Sequence, residues 1–521
     1  MRDGGILRVL AIAPWALALP AQAQEATATA STSGVVVSQD QLLALTARLD
    51  ALEQRNAQLE AQVLDLKTQG AASDQALRQQ VNATTVSLGN GRPTFATGDG
   101  QFSAALRGVF QLDAAKYDQS RARPLASDFR RGSIGDAVEA DRARDLSDGA
   151  NFRRARIGVE GKAWGVWNYN FLYDFGGSGV EEAGKISAAW VEYAGLAPFR
   201  VRIGAFSPPS GLEETAPTNG ALFPERASPS ETVRSIASGD GRTAAAIFAN
   251  GERWNASLAL SGNLIGNQTF DEQAALVGRV AFVPWKTLDS LVHVGADFVY
   301  VISPAASGPN IGGAAATPIR LRDRPELRVD ITRLIDTGNL DADGARVLGL
   351  ELAGQHKQFT LQAEYYDIRV DRKGVLADPR FHGWYVQGAW TLTGEPRRYG
   401  IATATFDAPK VAKPFDLKAR QWGAWELAAR YSDMDLNYAE GAAGSAQGPS
   451  AVRGGAQKIL TLGLNWYPNA NVRFLFDYQR VEVDRLSPGG LAFGAGVLTP
   501  PAGAEIGQDL NIWSLRTQYA F

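Results

Sequence analysis

The spacing of apolar residues changes once along this chain, from intervals of three and four residues to strict alternation. The first pattern includes one asparagine and comprises Leu42, Leu45, Leu49, Leu52, Asn56, Leu59, Val63 and Leu66. Its period of about 3.5 residues is that of a coiled coil, in which a seam asparagine fixes register and oligomeric state. A lone amphipathic helix packed on its own domain is the alternative, but no stop signal interrupts the pattern. We therefore predict a coiled coil over residues 39–69, and with it a homo-oligomer.

Two polar stretches flank this heptad pattern. Residues 24–38 are rich in alanine, threonine and serine, which is typical of a flexible linker. Residues 70–101 are polar and contain several glycines, and we predict a second linker there.

Alternation of apolar and polar residues begins at Phe102 and continues to the end of the chain at Phe521. In the segment 359–365, for example, Phe, Leu, Ala and Tyr alternate with Thr, Gln and Glu. The same pattern recurs in the segments 167–175, 425–431, 472–479 and 513–521. Successive side chains of a strand point to opposite faces, so the pattern predicts about sixteen strands, each with one apolar and one polar face.

The lengths of the connections distinguish between two all-β architectures. A soluble sandwich buries the apolar faces in a core, whereas a membrane barrel turns them to lipid and lines a wet lumen with the polar faces. Every second connection is short: Trp164–Gly165, Gly195–Pro198, Asn250–Gly251, His356–Lys357 and Pro468–Asn469. The others are often long: Ala114–Ala150, Ser207–Asp240, Ser303–Ala345, Asp435–Ala456 and Arg485–Ile506.

Short turns on one rim and long loops on the other are typical of outer-membrane barrels. Only the stretch Gly394–Gln421 is long where a short turn is due. We therefore predict an all-β fold, a 16-stranded antiparallel transmembrane β-barrel over residues 102–521, preceded by the N-terminal α-helical coiled coil.

Both ends of the chain carry features of exported proteins. Arg2 and Arg8 precede the apolar run Val9–Leu19, and residues 21–23 (Ala-Gln-Ala) have the small-x-small form of a signal-peptidase site. The run is shorter than the ~20 residues of a spanning helix, which argues against an N-terminal anchor. The last strand ends in the aromatic Phe521, similar to the signal by which outer-membrane barrels are recognised for insertion. We predict a signal peptide over residues 1–23 and a location in the outer membrane of a Gram-negative bacterium, with the N-terminus in the periplasm.

Composition narrows the function further. The net charge of −3 becomes −4 when Arg2, Arg8 and Asp3 leave with the signal peptide, so nothing points to nucleic acid as a partner. The mean hydropathy of −0.17 resembles that of a soluble protein, yet 12 Trp, 14 Tyr and 22 Phe suit many short strands. The chain has no cysteine, so its stability does not come from disulfides. Any selectivity must arise from local charges inside the barrel.

Short segments of the chain resemble the phosphate-selective porin O and P family, and they run in the family's order across the whole barrel. These segments are 152–158 (FRRARIG), 160–162 (EGK), 211–213 (GLE), 224–226 (PER), 392–397 (LTGEPR), 423–427 (GAWEL) and 462–467 (LGLNWY). The resemblance implies a 16-stranded barrel, a trimer and a third outer loop folded into the pore, which Ser207–Asp240 would form. Members of the family are anion channels, some of them specific for phosphate or polyphosphate.

The resemblance also implies a set of residues at the pore constriction. Arg226 matches the family's constriction arginine, and Arg153 and Arg154 match a basic pair on the pore wall. Strict alternation would place the Arg153 side chain on the outer face of the barrel, whereas the resemblance places it on the pore wall.

Several constriction positions depart from the family. Ser187 takes the place of an acidic residue and Glu214 that of a loop lysine, while Arg156 and Ser207 replace two tyrosines. The serine-rich loop motif becomes Ala216-Pro217-Thr218-Asn219. These departures favour a broad anion preference over strict phosphate selectivity.

Alternation places further arginines on the lumen side of the strands or on the inserted loop. Besides Arg154, Arg156 and Arg226, they are Arg200, Arg202, Arg234, Arg242, Arg279, Arg430, Arg473 and Arg516. Arginine suits phosphate because its planar fork donates two hydrogen bonds and stays charged. The alternative is that these arginines pair with lumen carboxylates and make the wall rigid. The available carboxylates are Glu160, Asp174, Asp297, Glu364, Glu426 and Asp477.

We predict an outer-membrane porin, a passive channel that prefers small anions of the phosphate or polyphosphate type through an arginine-lined constriction. A general or sugar-type porin is the alternative; most aromatic residues alternate outward, although Tyr385 faces inward in this interpretation. An enzyme is not expected, because the three histidines, His293, His356 and His382, accompany no serine elbow or carboxylate pair. We predict no cofactor and no metal ion, since metal-ligand spacing is lacking.

The expected partners follow from this location and fold. They are small anions as solute, outer-membrane lipid and lipopolysaccharide, two further copies in a homotrimer, and peptidoglycan as a candidate contact of the coiled coil. A structural or adhesive role for the coiled coil as the main function is disfavoured, because the barrel makes up most of the chain.

Overall fold

The computed structural model describes residues 38–119, 146–176, 184–267, 269–308, 316–489 and 502–521. The chain divides into one unit that ends at Arg78 and a second unit from Gln79 to Phe521. The predicted signal peptide, and the predicted linker 24–38 except for Ser38, lie outside the described residues.

The N-terminal unit is formed by one long helix, α1, which begins at Gln39 and ends at Asn82. Ser38 caps it: its hydroxyl accepts a hydrogen bond from the backbone N–H of Gln41 at 3.3 Å. The Gln41 side chain in turn accepts one from the backbone N–H of Ser38 at 3.4 Å, which completes a capping box. The heptad leucines and Val63 are exposed along the single chain. The coiled coil itself stays a prediction.

The helix runs past Gln69, where the predicted coiled coil ends, and covers residues 70–82 of the expected linker 70–101. Residues 71–82 are rich in alanine and glutamine and contain no proline, and a single Gly70 costs a helix only about 1 kcal/mol. A short hairpin follows, Thr84–Ser87 paired with Thr94–Thr97 around the 3-10 turn Gly89–Gly91. Within the described residues, no helix is long and apolar enough to cross a membrane.

Sixteen long strands of the described residues form the second unit, as predicted. In chain order they are β1 Ser103–Gln119, β2 Gly149–Ala163, β3 Trp167–Asp174, β4 Lys185–Leu196, β5 Phe199–Phe206, β6 Arg242–Asn250, β7 Trp254–Leu264, β8 Ala274–Lys286, β9 Ser290–Ser303, β10 Leu340–His356, β11 Phe359–Arg372, β12 Arg380–Thr391, β13 Ala424–Tyr438, β14 Val452–Tyr467, β15 Val472–Asp484 and β16 Asp509–Ala520.

The sheet is a closed antiparallel barrel. Each strand pairs with its neighbour in sequence, and β16 returns to pair with β1, with Trp513 opposite Lys116. The last residue completes the closure, because Phe521 and Gly108 exchange two backbone hydrogen bonds of 3.0 and 3.1 Å. Closure satisfies the backbone hydrogen bonds of both edge strands, which a sheet in lipid requires. This confirms the predicted 16-stranded barrel.

The burial of side chains is the reverse of that in a soluble sandwich. On β11, Phe359, Leu361 and Tyr365 are exposed, whereas Gln362 and Glu364 between them are buried. The apolar faces therefore point out of the barrel and the polar faces point into it. This arrangement suits lipid outside and water inside, and it rules out the sandwich alternative.

Three of the described connections fold into the lumen. The inserted loop, residues 207–241 between β5 and β6, contains the single-turn helix α2 (Leu212–Thr215), a 3-10 turn (Thr218–Gly220) and the helix α3 (Ser228–Ala237). It touches inward-facing side chains of the wall: Glu364 of β11 accepts the backbone N–H of Leu212 at 2.5 Å, and Arg430 of β13 donates to the carbonyl oxygen of Glu225 at 2.9 Å. This is the position expected for the inserted third outer loop.

The second inserted loop, residues 304–308 and 316–339, carries the short strands Pro318–Ile319, Arg322–Asp323 and Ile335–Asp336. The lumen hairpin, Arg397–Gly400 paired with Thr405–Pro409, enters from the opposite rim. This hairpin explains why the connection Gly394–Gln421 is long where a short turn was expected. The chain turns back into the barrel there.

Candidate pore constriction

A narrow cavity lies where the inserted loop, the lumen hairpin and the barrel wall meet. Its volume is about 30 Å³, room for about two water molecules. The charged residues that line it are Arg154, Glu213, Glu225, Arg226 and Arg397. A cavity this narrow between three inward-facing elements is the candidate constriction of a pore.

Arg154 of β2 differs from the other cations of this cavity. It is only 3% exposed, and its Nη1 atom donates to the side-chain oxygen of Gln111 at 2.7 Å. Its Nε–H has no hydrogen-bond partner in the part of the chain that the structure describes. Among the described residues, no carboxylate oxygen lies within ion-pair distance of this guanidinium. Arg154 is therefore a buried cation with a donor still available.

The charges around Arg154 are mostly positive. Arg153, Arg156 and Arg516 act on it as like charges, against Glu225 as an opposite charge. An anion in the cavity would meet a local excess of positive charge, which is the condition for attracting it.

Arg153 points into the barrel together with Arg154, so strict alternation gave the wrong side for this residue. The register between β1 and β2 shifts here: Gln111 lies opposite Arg154, and the next residue, Leu112, lies opposite Phe152. This β-bulge places two successive side chains on the same face. Arg153 then forms an ion pair with Glu225, with Nε 2.7 Å from Oε1.

Arg226 of the inserted loop is held by Glu214. Its Nε atom lies 2.7 Å from Oε2 of Glu214, and Nε of Arg234 lies 2.8 Å from the same oxygen. The hydroxyl of Ser207 donates to the other oxygen of Glu214. Burial raises the pKa of Glu214 above its ordinary value, although the two arginines partly offset this.

Glu225 is shared by several arginines from different elements. Besides Arg153, it contacts Arg516 of β16 at 2.9 Å and Arg328 of the second inserted loop at 3.4 Å. Burial alone would raise the pKa of Glu225, but these arginines outweigh it and hold the pKa well below its usual range. Glu225 is therefore a permanent anion that fastens the inserted loop to the wall.

The remaining predicted constriction residues lie close to this network. Arg156 pairs with Asp174 and with Asp240, each at 2.7 Å. Ser187 is buried, and its hydroxyl has no hydrogen-bond partner. Thr218 begins the 3-10 turn of the inserted loop and lines the cavity.

The other lumen arginines face inward but are occupied. Those with carboxylate partners are Arg200 and Arg202 with Glu192, Arg234 with Glu214, Glu231 and Asp240, Arg279 with Glu351, Arg430 with Glu213 and Glu326, and Arg516 with Asp113 and Glu225. Arg242 and Arg473 donate to backbone carbonyl oxygens instead. Arg242 thereby fastens the end of α3, and Arg473 fastens the 3-10 turn.

The sequence patterns did not identify the charged residues that the lumen hairpin and the second inserted loop carry into the barrel. Arg397 of the lumen hairpin pairs with Glu426 at 3.0 Å and donates to the carbonyl oxygen of Gly220. Glu326 of the second inserted loop accepts hydrogen bonds from Arg430 at 3.1 Å and from the backbone N–H of Ser228 at 2.8 Å. The one available signal was the charge-rich run 320–333 in a predicted outer loop.

The chain is similar to one protein family and to several known outer-membrane proteins. The family model described as phosphate-selective porin O and P matches residues 126–521. Porin O of Pseudomonas aeruginosa is 27% identical over 411 residues, which covers 75% of this chain and 86% of that protein. Among solved structures, OmpT of Vibrio cholerae is 10% identical with a TM-score of 0.44, and covers 81% of this chain and 99% of its own. An anion-selective porin from Comamonas acidovorans is 12% identical with a TM-score of 0.43, over 81% and 100%.

Proposed function

The chain belongs to the phosphate-selective porin O and P family and forms an outer-membrane porin, and from this premise we propose that its pore prefers small anions because Arg154 stands uncompensated in the constriction. The proposal rests on the contrast between Arg154 and the other two arginines that line the cavity. Arg226 and Arg397 pair with Glu214 and Glu426, whereas Arg154 has no carboxylate partner among the described residues and donates only to the side-chain oxygen of Gln111.

The proposed mechanism is passive diffusion past this one charge. An anion enters from either rim, loses part of its water in the narrow cavity, and accepts a hydrogen bond from Arg154. A charge-assisted hydrogen bond of this kind offsets part of the cost of dehydration. Because conduction requires the anion to leave again, a single available donor suits a channel better than a closed ring of them.

The engaged arginines have a different role in this proposal: they hold the inserted loop. Arg516, Arg430 and Arg473 come from three separate strands and all donate to residues of that loop. They keep the constriction narrow and give it a fixed shape.

The preference is proposed to be broad rather than strictly for phosphate. Arg226, which the resemblance assigns to the constriction, is neutralised by Glu214 at 2.7 Å. Ser187 supplies a buried hydroxyl where an acidic residue would be expected from the resemblance. Phosphate and polyphosphate-like anions remain within the proposed class, together with chloride.

A general or sugar-type pore is the second candidate, and Tyr385 is the residue that would favour it. Tyr385 does point inward, but it is fully buried: its hydroxyl donates to Glu364 at 2.5 Å and accepts from Gln362 at 2.8 Å. A sugar slide needs aromatic faces open to the lumen, so this residue does not support that candidate.

The assembly is proposed to be a homotrimer held in part by α1, whose exposed leucines would form the seam of a coiled coil. The N-terminus would lie in the periplasm, since β1 begins on the rim with the short turns. Contact of α1 with peptidoglycan, and of the apolar outer face with lipid and lipopolysaccharide, belong to the same proposal.

Phosphate competition in a planar bilayer tests the proposed solute class. Chloride current through single channels should decrease as phosphate is added at constant ionic strength, because both anions use the same constriction. A chloride current that phosphate leaves unchanged, and that glucose reduces, would favour the sugar-type pore instead.

A further inference from the structure

Three buried carboxylates that do not line the candidate constriction converge on the inner wall of the barrel. Asp297 of β9, Glu351 of β10 and Glu364 of β11 come from three adjacent strands and are 2%, 4% and 3% exposed. One oxygen from each lies within 4.8 Å of the others.

The strand register brings these carboxylates together. Glu351 lies directly opposite Glu364, and Asp297 lies opposite Gly349, two residues before Glu351 on the same strand. A Cβ atom at Gly349 would lie 2.1 Å from an oxygen of Asp297, so only glycine leaves room for this carboxylate. Like charges directly opposite each other on neighbouring strands are destabilising unless something neutralises them.

The described protein groups neutralise this cluster only in part. Arg279 pairs with Glu351 at 2.7 Å, and its remaining donors go to the carbonyl oxygens of Thr403 at 2.6 Å and Ala404 at 3.0 Å. Glu364 accepts neutral donors, among them the backbone N–H groups of Leu212 and Glu213. The imidazole of His293 also contacts Glu351, with Nε2 3.0 Å from Oε2. The formal charges of three carboxylates and one guanidinium sum to two negative charges.

Asp297 points independently to a ligand at this cluster. Neither of its carboxylate oxygens accepts a hydrogen bond from the described residues, although the side chain is almost wholly buried beside Glu351 and Glu364. A buried, unpaired carboxylate is among the most unfavourable groups in a folded protein.

We propose that Asp297, Glu351 and Glu364 bind one divalent cation, and that this cation is Ca²⁺. All the donors are oxygen atoms, which hard cations prefer, and one divalent ion matches the two uncompensated charges. Ca–O distances of about 2.3–2.6 Å allow ligands on opposite sides of the ion to lie almost 5 Å apart, whereas Mg²⁺, at about 2.0–2.1 Å, requires a tighter set. Mg²⁺ also keeps several waters and is usually bound by only one or two carboxylates, so three carboxylates whose oxygens lie within 4.8 Å of one another suit Ca²⁺ better.

Such a cation would connect the barrel wall to the base of the inserted loop. Glu364 would be a ligand and also accepts the backbone N–H groups at the start of α2. Binding would therefore stabilise the position of the loop. The spacing of ligands along the sequence does not reveal the site, because each ligand comes from a different strand.

Calcium titration of the full mature chain tests this proposal. The protein is refolded in detergent without lipopolysaccharide, treated with a chelator, and titrated with CaCl₂ in a calorimeter. The wild type should bind one more equivalent of Ca²⁺ than Asp297→Asn, and its melting temperature should rise with Ca²⁺ concentration while that of the variant does not.

Asp477→Asn is the matched control. Asp477 of β15 is also fully buried in the lumen, and its two oxygens also lack hydrogen-bond partners among the described residues. Its charged neighbours, however, are the three arginines Arg430, Arg473 and Arg516 and a single carboxylate, Asp113. This variant should bind Ca²⁺ like the wild type. The proposal fails if the wild type shows no saturable binding after chelation, or if Asp297→Asn binds as much Ca²⁺ as the wild type. It also fails if stability depends on pH alone, since protons would then neutralise the cluster.

Discussion

The Nε atom of Arg226 lies 2.7 Å from Oε2 of Glu214, so the arginine that the family resemblance places at the constriction is neutralised within its own loop. Glu214 stands where the resemblance would place a lysine, which changes the local charge by two units. The balance between Glu214 and its arginines is therefore expected to control how strongly the pore prefers anions.

Substitutions at this pair should move selectivity in opposite directions. Arg226→Ala should lower the anion-over-cation permeability ratio, and Glu214→Gln should raise it, each by about fivefold at low salt. The estimate assumes that one unit charge about 4 Å from the permeating ion, in water, changes the free energy of that ion by ~1 kcal/mol. Reversal potentials measure both ratios. If both variants match the wild type, neither residue acts on the permeating ion.

Anion preference should also depend on pH. Burial holds the pKa of Glu214 above the ordinary value of 4.5, so this carboxylate gains a proton at a higher pH than an exposed glutamate. The protonated form no longer neutralises Arg226 and Arg234, and the anion preference should therefore rise as the pH falls.

Two neighbouring carboxylates should stay charged in that pH range. Although burial opposes it, nearby arginines lower the pKa of Glu231 to about 2 and hold that of Asp240 well below its usual range. Burial also raises the pKa of Glu213, which lines the cavity. Glu214→Gln should therefore reduce the rise in selectivity at acid pH, and Glu213 accounts for the remainder. A pH profile that is the same in this variant would assign the titration to another group.

The seam of α1 should determine the stability of the trimer. Leu52→Asp combined with Leu59→Asp places charges in the heptad seam and should release monomers at a lower temperature in mild detergent. Leu43→Asp combined with Leu64→Asp is the control, since both leucines are exposed on α1 but lie outside the seam. Cross-linking at increasing temperature measures the difference, and equal dissociation of both variants would argue against the coiled coil.

The outer face should not tolerate charge. Leu350 lies in the middle of β10 and is exposed. Leu350→Arg should destabilise the barrel by about 2–4 kcal/mol in a lipid bilayer, as expected for a cation near the bilayer midplane. Leu350→Ala is the control for the loss of the side chain alone. Unfolding by denaturant measures the stability of both variants. An equal loss of stability would mean that this face does not contact lipid.

The strands, and the side of the barrel to which each side chain points, could largely be predicted from the sequence, because alternation is a local property. The inward position of Arg279, Arg430 and Arg516 follows from counting residues along one strand. Counting residues does not predict the inward position of Arg153, because a β-bulge that the alternation does not show moves this side chain to the inner face of the barrel.

The network inside the barrel depends on contacts that are distant in sequence. The lumen hairpin stays inside because Arg279 of β8 donates to Thr403 and Ala404. Glu225 joins Arg153, Arg328 and Arg516, which are far apart along the chain. No periodic pattern encodes which arginine meets which carboxylate, so the uncompensated state of Arg154 is evident only in the folded chain.

The reversal potential in a KCl gradient, compared between the wild type and Arg154→Gln, tests the proposed pore most directly. Arg200→Gln serves as the control, because it removes a lumen cation that lies outside the cavity and faces Glu192. The wild type and this control should reverse near the chloride equilibrium potential, and Arg154→Gln should lose about fivefold in permeability ratio. A wild-type channel that reverses near the potassium potential, or an Arg154→Gln channel identical to the wild type, would contradict this account.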